Sequence, residues 1–397
     1  MLTPEYLQGL VGHDISIWKF YVLRHYDWDM SRLYNQLRQD IQTRWPDGIT
    51  RFQPHERVVF VHDDLDIVLG PDSVPFTLYN LQLILRELQV SNCYCRIITN
   101  LPNYQVFCDR AAAMLVNDVA IKAVSRSFWG SCVDGAPHAN TAQGYDAKIE
   151  DVTADTHSIV LPFIAQCRKT GWHRRYFMSQ LWAHDLLGSG IVAYHNAAPD
   201  DPAQGNHNQG PAPGCTFLYT QPFSRNLREH VLQSRVRRHQ MEQFPYDRYS
   251  ANCELQDVSS SWTSSFYQHP EISKALIYVS LETTANLCRA FLTRITFKAI
   301  VYQRPFLIVG APGCLALLRD MGFMTFSDFW DESYDQESSL EHRVTAVINT
   351  LARFRDLSGA ELQQTYQAMS HITRHNYQHM RSTFVRDQQQ VLIQGMK

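Results

Sequence analysis

The stretch Arg57-Val58-Val59-Phe60-Val61-His62-Asp63-Asp64 decides the class of fold. A compact β-branched run that stops abruptly in polar residues is the pattern of a buried parallel strand delivering polar groups at its carboxyl end. Working outward, a Gly70-Pro71 loop leads to Phe76–Gln89, where Leu78, Leu81, Leu85 and Leu88 share one helical face. Cys95–Thr99 then reads as the next strand, which makes a β-α-β unit. A helix over Tyr104–Val116 and a strand over Ala120–Ser125 extend it. Upstream, residues 1–55 are rich in Trp, Tyr and Arg and read as a helical lead-in, with a helix from Ser31 to Gln42 closed by Pro46-Asp47-Gly48.

The alternation returns late in the chain. Lys274–Leu281 and Pro305–Val309 read as strands, and Thr293–Tyr302 and Cys314–Met321 as helices, the first with Thr293 as N-cap. Between the two regions, 127–156 reads as loop, Arg174–Leu187 as helix and Gly190–Tyr194 as strand. Residues 197–214 are the clearest linker or surface loop, and Ser224–Gln243 is a basic helical segment with a solvated face. Two S-x-x-E capping boxes, Ser338 with Glu341 and Ser358 with Glu361, mark later helix starts, and a long helix over 358–384 closes the chain. The expected architecture is α/β, with two Rossmann-like lobes and a long C-terminal helix. Its expected divisions are a lead-in at 1–55, a first lobe at 56–170, an irregular middle at 171–270 and a second lobe with terminal helices at 271–397.

Composition narrows the function classes. The 397 residues carry a formal charge of −3, which argues against a general electrostatic affinity for nucleic acid. Apolar residues at 45% and charged residues at 19% are those of an ordinary globular chain with a sizeable core. The longest apolar stretch, Phe306–Leu318, contains Pro312 and two glycines and is too short to span a membrane; no secretory signal opens the chain. Nine cysteines without a repeated CxxC spacing read as buried or free thiols of a reducing compartment, so a soluble cytoplasmic protein is expected.

The densest chemistry lies between Ser280 and Gly313. Glu282 leaves a strand end, a helix begins at Thr293 about a dozen residues on, and Gly310-Ala311-Pro312-Gly313 precedes another helix N-terminus. Free N–H groups and the positive dipole end at such termini suit a phosphate or diphosphate. Asp63 and Asp64, just beyond the first strand, are candidate general bases. Asp328, Asp331, Glu332 and Asp335 form an acidic loop without a fixed ligand spacing, and His371, His375 and His379 recur along one helix face without an accompanying Glu, so no metal site is assigned to either.

The stretch from Ile277 to Phe323 resembles the donor-binding signature of family-10 fucosyltransferase-like proteins. Over most of its length the chain is similar to a group of marine-bacterial and tailed-phage glycosyltransferase-like proteins, through FTLYNLQLILRELQVSNCYCRIITNLPNY (76–104), RRYFMSQLWAHDLLGSGIVAYHN (174–196) and MGFMTFSDFWDESYD (321–335). The resemblance implies transfer of a sugar from a nucleotide-sugar donor to a hydroxyl on a glycan, lipid or modified base, with no permanently bound cofactor. It implies Glu282 as a catalytic carboxylate and a donor side lined by Arg174 or Arg175, Thr293, Arg294 and Lys298, to which the Gly310–Gly313 turn adds by its pattern, with Asp63 or Asp64 facing the acceptor by its position. Arg294 and Ile295 stand where the family pattern has a glutamate and a lysine, a charge reversal beside a lost cation. That departure keeps an alternative open: a non-catalytic structural or interaction protein, virion-associated and partnered by other structural proteins.

Overall fold

In the computed structural model the described residues are 4–23, 30–47, 50–62, 76–99, 101, 104–115, 119–125, 158–167, 172–194, 270–282, 285 and 290–397. They form two compact α/β units, residues 1–149 with 381–397, and residues 150–380. Each is built on a four-stranded parallel sheet. Asp63, Asp64, the 127–156 and 197–214 loops and the basic segment 224–243 lie outside the described residues.

The first unit runs α1 (Pro4–Val11), β1 (Ser16–Leu23), α2 (Met30–Arg44), β2 (Glu56–His62), α3 (Phe76–Glu87), β3 (Cys95–Thr99), α4 (Gln105–Met114) and β4 (Lys122–Ser125). The strands lie side by side in chain order, with Val58 opposite Cys95 and Arg96 opposite Lys122. The expected all-helical lead-in at 1–55 is corrected here, because Ser16–Leu23 pairs along β2 as an edge strand. Lys19 breaks its apolar run, and the strand is held by a partner forty residues away and by α2. There Asp40 accepts hydrogen bonds from Lys19 Nζ and Tyr21 Oη, each at 2.7 Å.

One face of this sheet is covered by the last helix of the chain. Val59, Val61, Ile98 and Val124 pack with Leu7 and Val11 of α1 and with Leu392 and Met396. The carbonyls at the end of that last helix are met by Arg57 Nε on Met396 (2.9 Å), Arg96 Nε on Gly395 (2.9 Å) and Lys122 Nζ on Gln394 (3.4 Å). Cations from three neighbouring strands therefore receive the negative end of its dipole. Residues 381–397 thus belong with the first unit, not with the second lobe where the sequence reading put them.

The second unit runs β5 (Leu161–Cys167), α5 (Trp172–Ala183), β6 (Ile191–Tyr194), α6 (Pro270–Ser273), β7 (Ala275–Leu281), α7 (Arg294–Val301), β8 (Phe306–Val309), α8 (Cys314–Asp320), α9 (Leu340–Ala352) and α10 (Gly359–His379). Its sheet order is β6-β5-β7-β8. The strands at 161–167 and 191–194, assigned to the first lobe and the irregular middle from sequence, belong to this sheet. The reason is burial: every residue of β7 is buried between two flanking strands, so both neighbours are needed to complete it. After α10 the helical path continues through a π-helical turn at Met380–Phe384 into α11 (Val385–Met396).

Helix termini show how closely local chemistry was followed. Ser358 and Glu361 form a full reciprocal capping box at α10. At α9 the cap is Ser339, whose hydroxyl accepts from His342 N, in place of the expected Ser338. The Ser338 carbonyl is taken by Arg343 Nη1, which pulls the start one residue on. His375 and His379 stack at 5.9 Å and donate to the carbonyls of Gly322 (3.3 Å) and Met321 (2.7 Å), closing the C-terminus of α8. That is a packing role for the histidine row. Among the described residues no helix is long and apolar enough to cross a membrane.

Candidate functional site

Glu282, one residue beyond β7, is the centre of the site. It is fully buried, and both carboxylate oxygens are occupied. Oε2 accepts from Thr293 Oγ1 at 2.6 Å, Oε1 from Thr296 Oγ1 at 2.6 Å, and the Thr293 backbone N–H lies 3.1 and 3.2 Å from the two oxygens. Thr293 Oγ1 in turn accepts from Ile295 N at 3.2 Å, so it caps α7 while it donates to Glu282. A buried carboxylate placed against a helix N-terminus is stabilised there by the orphan donors and the dipole. Burial is nevertheless the larger effect and holds its pKa above the ordinary value, against the lowering by Thr293, Thr296 and Arg174.

The start of α5 reaches the same strand end. Arg174 Nη2 donates to Leu281 O at 3.0 Å, and His173 Nε2 donates to Glu282 O at 2.9 Å. A carbonyl can only accept, so the His173 proton sits on Nε2. Burial, followed by the neighbouring Arg174 charge, drives the His173 pKa down to about 3, and the ring is neutral at physiological pH. From α9, Arg343 donates to Ala285 O at 2.7 Å, and its own pKa is lowered to about 10 by burial. Lys298 and Tyr278 both donate to Gln166 Oε1, at 2.9 and 3.2 Å.

The second expected phosphate cradle, the Gly310–Gly313 turn, is also filled from within. Asp335 accepts from Leu315 N (2.9 Å) and Ala316 N (3.1 Å) through its carboxylate, and from Gly313 N (2.7 Å) through its carbonyl. Gly313 takes a left-handed φ of 84°, which a side chain would strain. Gly310 is needed for closeness: a Cβ there would lie 2.9 Å from Cys314 Sγ and 3.4 Å from Glu282 Cβ.

The structure therefore brings Arg174, Glu282, Thr293, Lys298, Gly310 and Gly313 to one side of the second unit. Glu282, expected as a catalytic carboxylate, is buried with both oxygens engaged by Thr293 and Thr296. Arg175 and Arg294 lie in the first turns of α5 and α7, and their side chains are outside the described atoms. Sequence reasoning missed His173, Gln166, Arg343 and the capping role of Asp335. None has a local signal, since each acts on a group more than ten residues away. Of the acidic loop, Glu332 pairs with Arg319 at 3.0 Å and Asp331 caps Ser333 at 2.8 Å. Among the described residues no three His, Cys, Asp or Glu side chains gather as a metal site would require, and Cys95, Cys108 and Cys314 are buried free thiols.

The architecture and site define a parallel α/β protein of two units with a hydrogen-bonded polar cluster at the carboxyl end of its second sheet. No family model, curated protein or solved structure matches the chain.

Proposed function

We propose that the chain is a glycosyltransferase-like protein of two Rossmann-like lobes (GT-B-like) that transfers a sugar from a nucleotide-sugar donor to a hydroxyl acceptor. The observation that carries this reading is the gathering of Arg174, Lys298 and Arg343 about the carboxyl end of β7, where they donate to Leu281 O, Gln166 Oε1 and Ala285 O, while Glu282 and Asp335 are committed to helix N-termini. Cationic side chains at the carboxyl end of a parallel sheet are where an anionic nucleotide is drawn. In this reading the donor diphosphate meets Arg174 and Lys298, while Glu282 and Thr293 hold α7 in position. Asp63 or Asp64 is the base on the acceptor hydroxyl, and a glycan, lipid or modified base supplies that hydroxyl.

A second reading has its own support. Both helix N-termini that would bind phosphate already hold a protein carboxylate, as a non-catalytic structural or virion-associated descendant of such a fold would have it. A thermal-shift and hydrolysis screen of the full chain against nucleoside-diphosphate sugars separates the two. Saturable stabilisation or turnover that disappears in Lys298→Ala and Arg174→Ala supports the transferase. No response to any donor, with the protein recovered in a stable assembly, overturns it in favour of the second reading.

A further inference from the structure

The second sheet, in the order β6-β5-β7-β8, reverses its winding between β5 and β7. From β5 the chain passes through α5 to β6 on one flank, and from β7 through α7 to β8 on the other. At such a reversal the connections leave the two carboxyl ends in opposite directions, and the crevice between them is the preferred place for a ligand in an open parallel sheet. Gln166 is the last residue but one of β5, is paired with Ala193 of β6 and stands beside that reversal, half-buried.

The side-chain amide of Gln166 has one orientation. Oε1 accepts from Lys298 Nζ at 2.9 Å and from Tyr278 Oη at 3.2 Å. An ammonium has donors only, so the amide nitrogen cannot take the place of Oε1 against Lys298. Both acceptor positions of Oε1 are filled in this way, and Nε2 is left to point elsewhere. It has no hydrogen-bond partner among the described residues, and it is not one of the buried unpaired atoms, so it reaches the surface. Tyr278 comes from β7 and Lys298 from α7, so groups on the far side of the reversal fix an amide that belongs to the near side. A donor whose orientation is already set loses little entropy when an acceptor arrives.

We propose that Gln166 Nε2 donates to a phosphoryl oxygen of a nucleoside diphosphate seated at this reversal. The inference deepens the nucleotide-sugar reading and rests on it. Oε1 and Nε2 share one carbon, so an acceptor on Nε2 lies an amide's width from the ammonium on Oε1, and Lys298 adds its charge to an anionic oxygen there. A neutral acceptor at the same place gains the amide hydrogen bond alone.

The test is calorimetric titration of the full chain and its variants with uridine, guanosine and adenosine diphosphates, and with the nucleoside matching the tightest of them. Gln166→Glu keeps an oxygen for Lys298 and Tyr278 but puts a second, anionic oxygen in place of the Nε2 donor. It should weaken the diphosphate at least about tenfold, leave the affinity for the nucleoside as in the parent, and not lower the Tm of the unliganded chain. Gln166→Met, which offers no donor, should show the same loss, and it decides the matter should the glutamate variant not fold. An unchanged diphosphate affinity in the variants overturns the role of Gln166 and leaves the transferase reading standing. A loss shared equally by the nucleoside moves the contact to the sugar or base and overturns the phosphoryl assignment. Absence of diphosphate binding in the parent overturns the proposal together with the reading it rests on.

Discussion

Glu282 and Thr293 are tied to each other through both the backbone and the side chain of the threonine: the carboxylate takes the Thr293 N–H and its hydroxyl proton together. The hydroxyl then serves Ile295 as the helix cap. Removing the carboxylate strands three buried donors at once, each worth about 1–3 kcal/mol when left unpaired. Glu282→Ala should therefore cost about 3 kcal/mol or more in denaturant unfolding of the second unit. Glu282→Gln, which retains one acceptor oxygen, should cost roughly half as much. An alanine variant as stable as the parent would show that the carboxylate does not organise α7.

Two buried groups at this site push the pH dependence in opposite directions. His173 has a folded pKa of about 3 against an ordinary 6.5, so the unfolded chain binds its proton more readily. Its contribution is complete above pH 6.5 and is lost as pH falls toward 3. Glu282 has a folded pKa above its ordinary 4.5, so its contribution is complete below 4.5 and declines as pH rises above that value. Stability profiles of His173→Gln and Glu282→Gln should lose the acid limb and the upward limb respectively. Parallel profiles for parent and variants would contradict the assignment.

Asp335 fastens the first turn of α8 from a position about twenty residues further on. Asp335→Ala should cost about 1–2 kcal/mol, within the range of a lost N-cap, and should speed hydrogen exchange at Leu315 and Ala316. Asp335→Asn should fall between the two. Unchanged exchange at those two amides would remove Asp335 from the capping role.

In the first unit, a Cβ at Gly395 would sit 2.5 Å from Val124 Cγ2 on β4. Gly395→Val should lift the last helix from the sheet at a cost of about 1–3 kcal/mol. Hydrogen exchange should rise over 385–396 while the amides of β7 and β8 stay protected. Faster exchange in the second unit as well would mean that the helix is not the local part of the first unit described above.

The parts of the fold that sequence revealed are those in which one residue type repeats at a fixed period. Val58–Val61 and Leu276–Val279 are uninterrupted because both faces of a parallel strand are covered, and Cys95–Thr99 has the bounds read from its pattern. β1 escaped notice because its evidence is its partner: Lys19 and Tyr21 find Asp40 on α2 and the backbone finds β2. The candidate site divides the same way. Thr293 and Glu282 stood out through a strand end and a helix start, whereas nothing near Asp335, His173 or Gln166 in the chain announces what each one touches. The membership of 161–167 and 381–397 follows from long-range pairing, which no local window contains.

The enclosure of one sheet face by Leu392 and Met396 has a consequence for biosynthesis. On a ribosome adding about 5–20 residues per second, β1 to β4 wait roughly 10–50 s for the helix that covers them, while residues 150–380 emerge and can fold in between. During that interval Val59, Val61, Ile98 and Val124 have α1 but not Leu392 and Met396 to cover them, and part of that apolar surface is exposed. Nascent chains stalled before residue 381 should accordingly be the form that a chaperone binds.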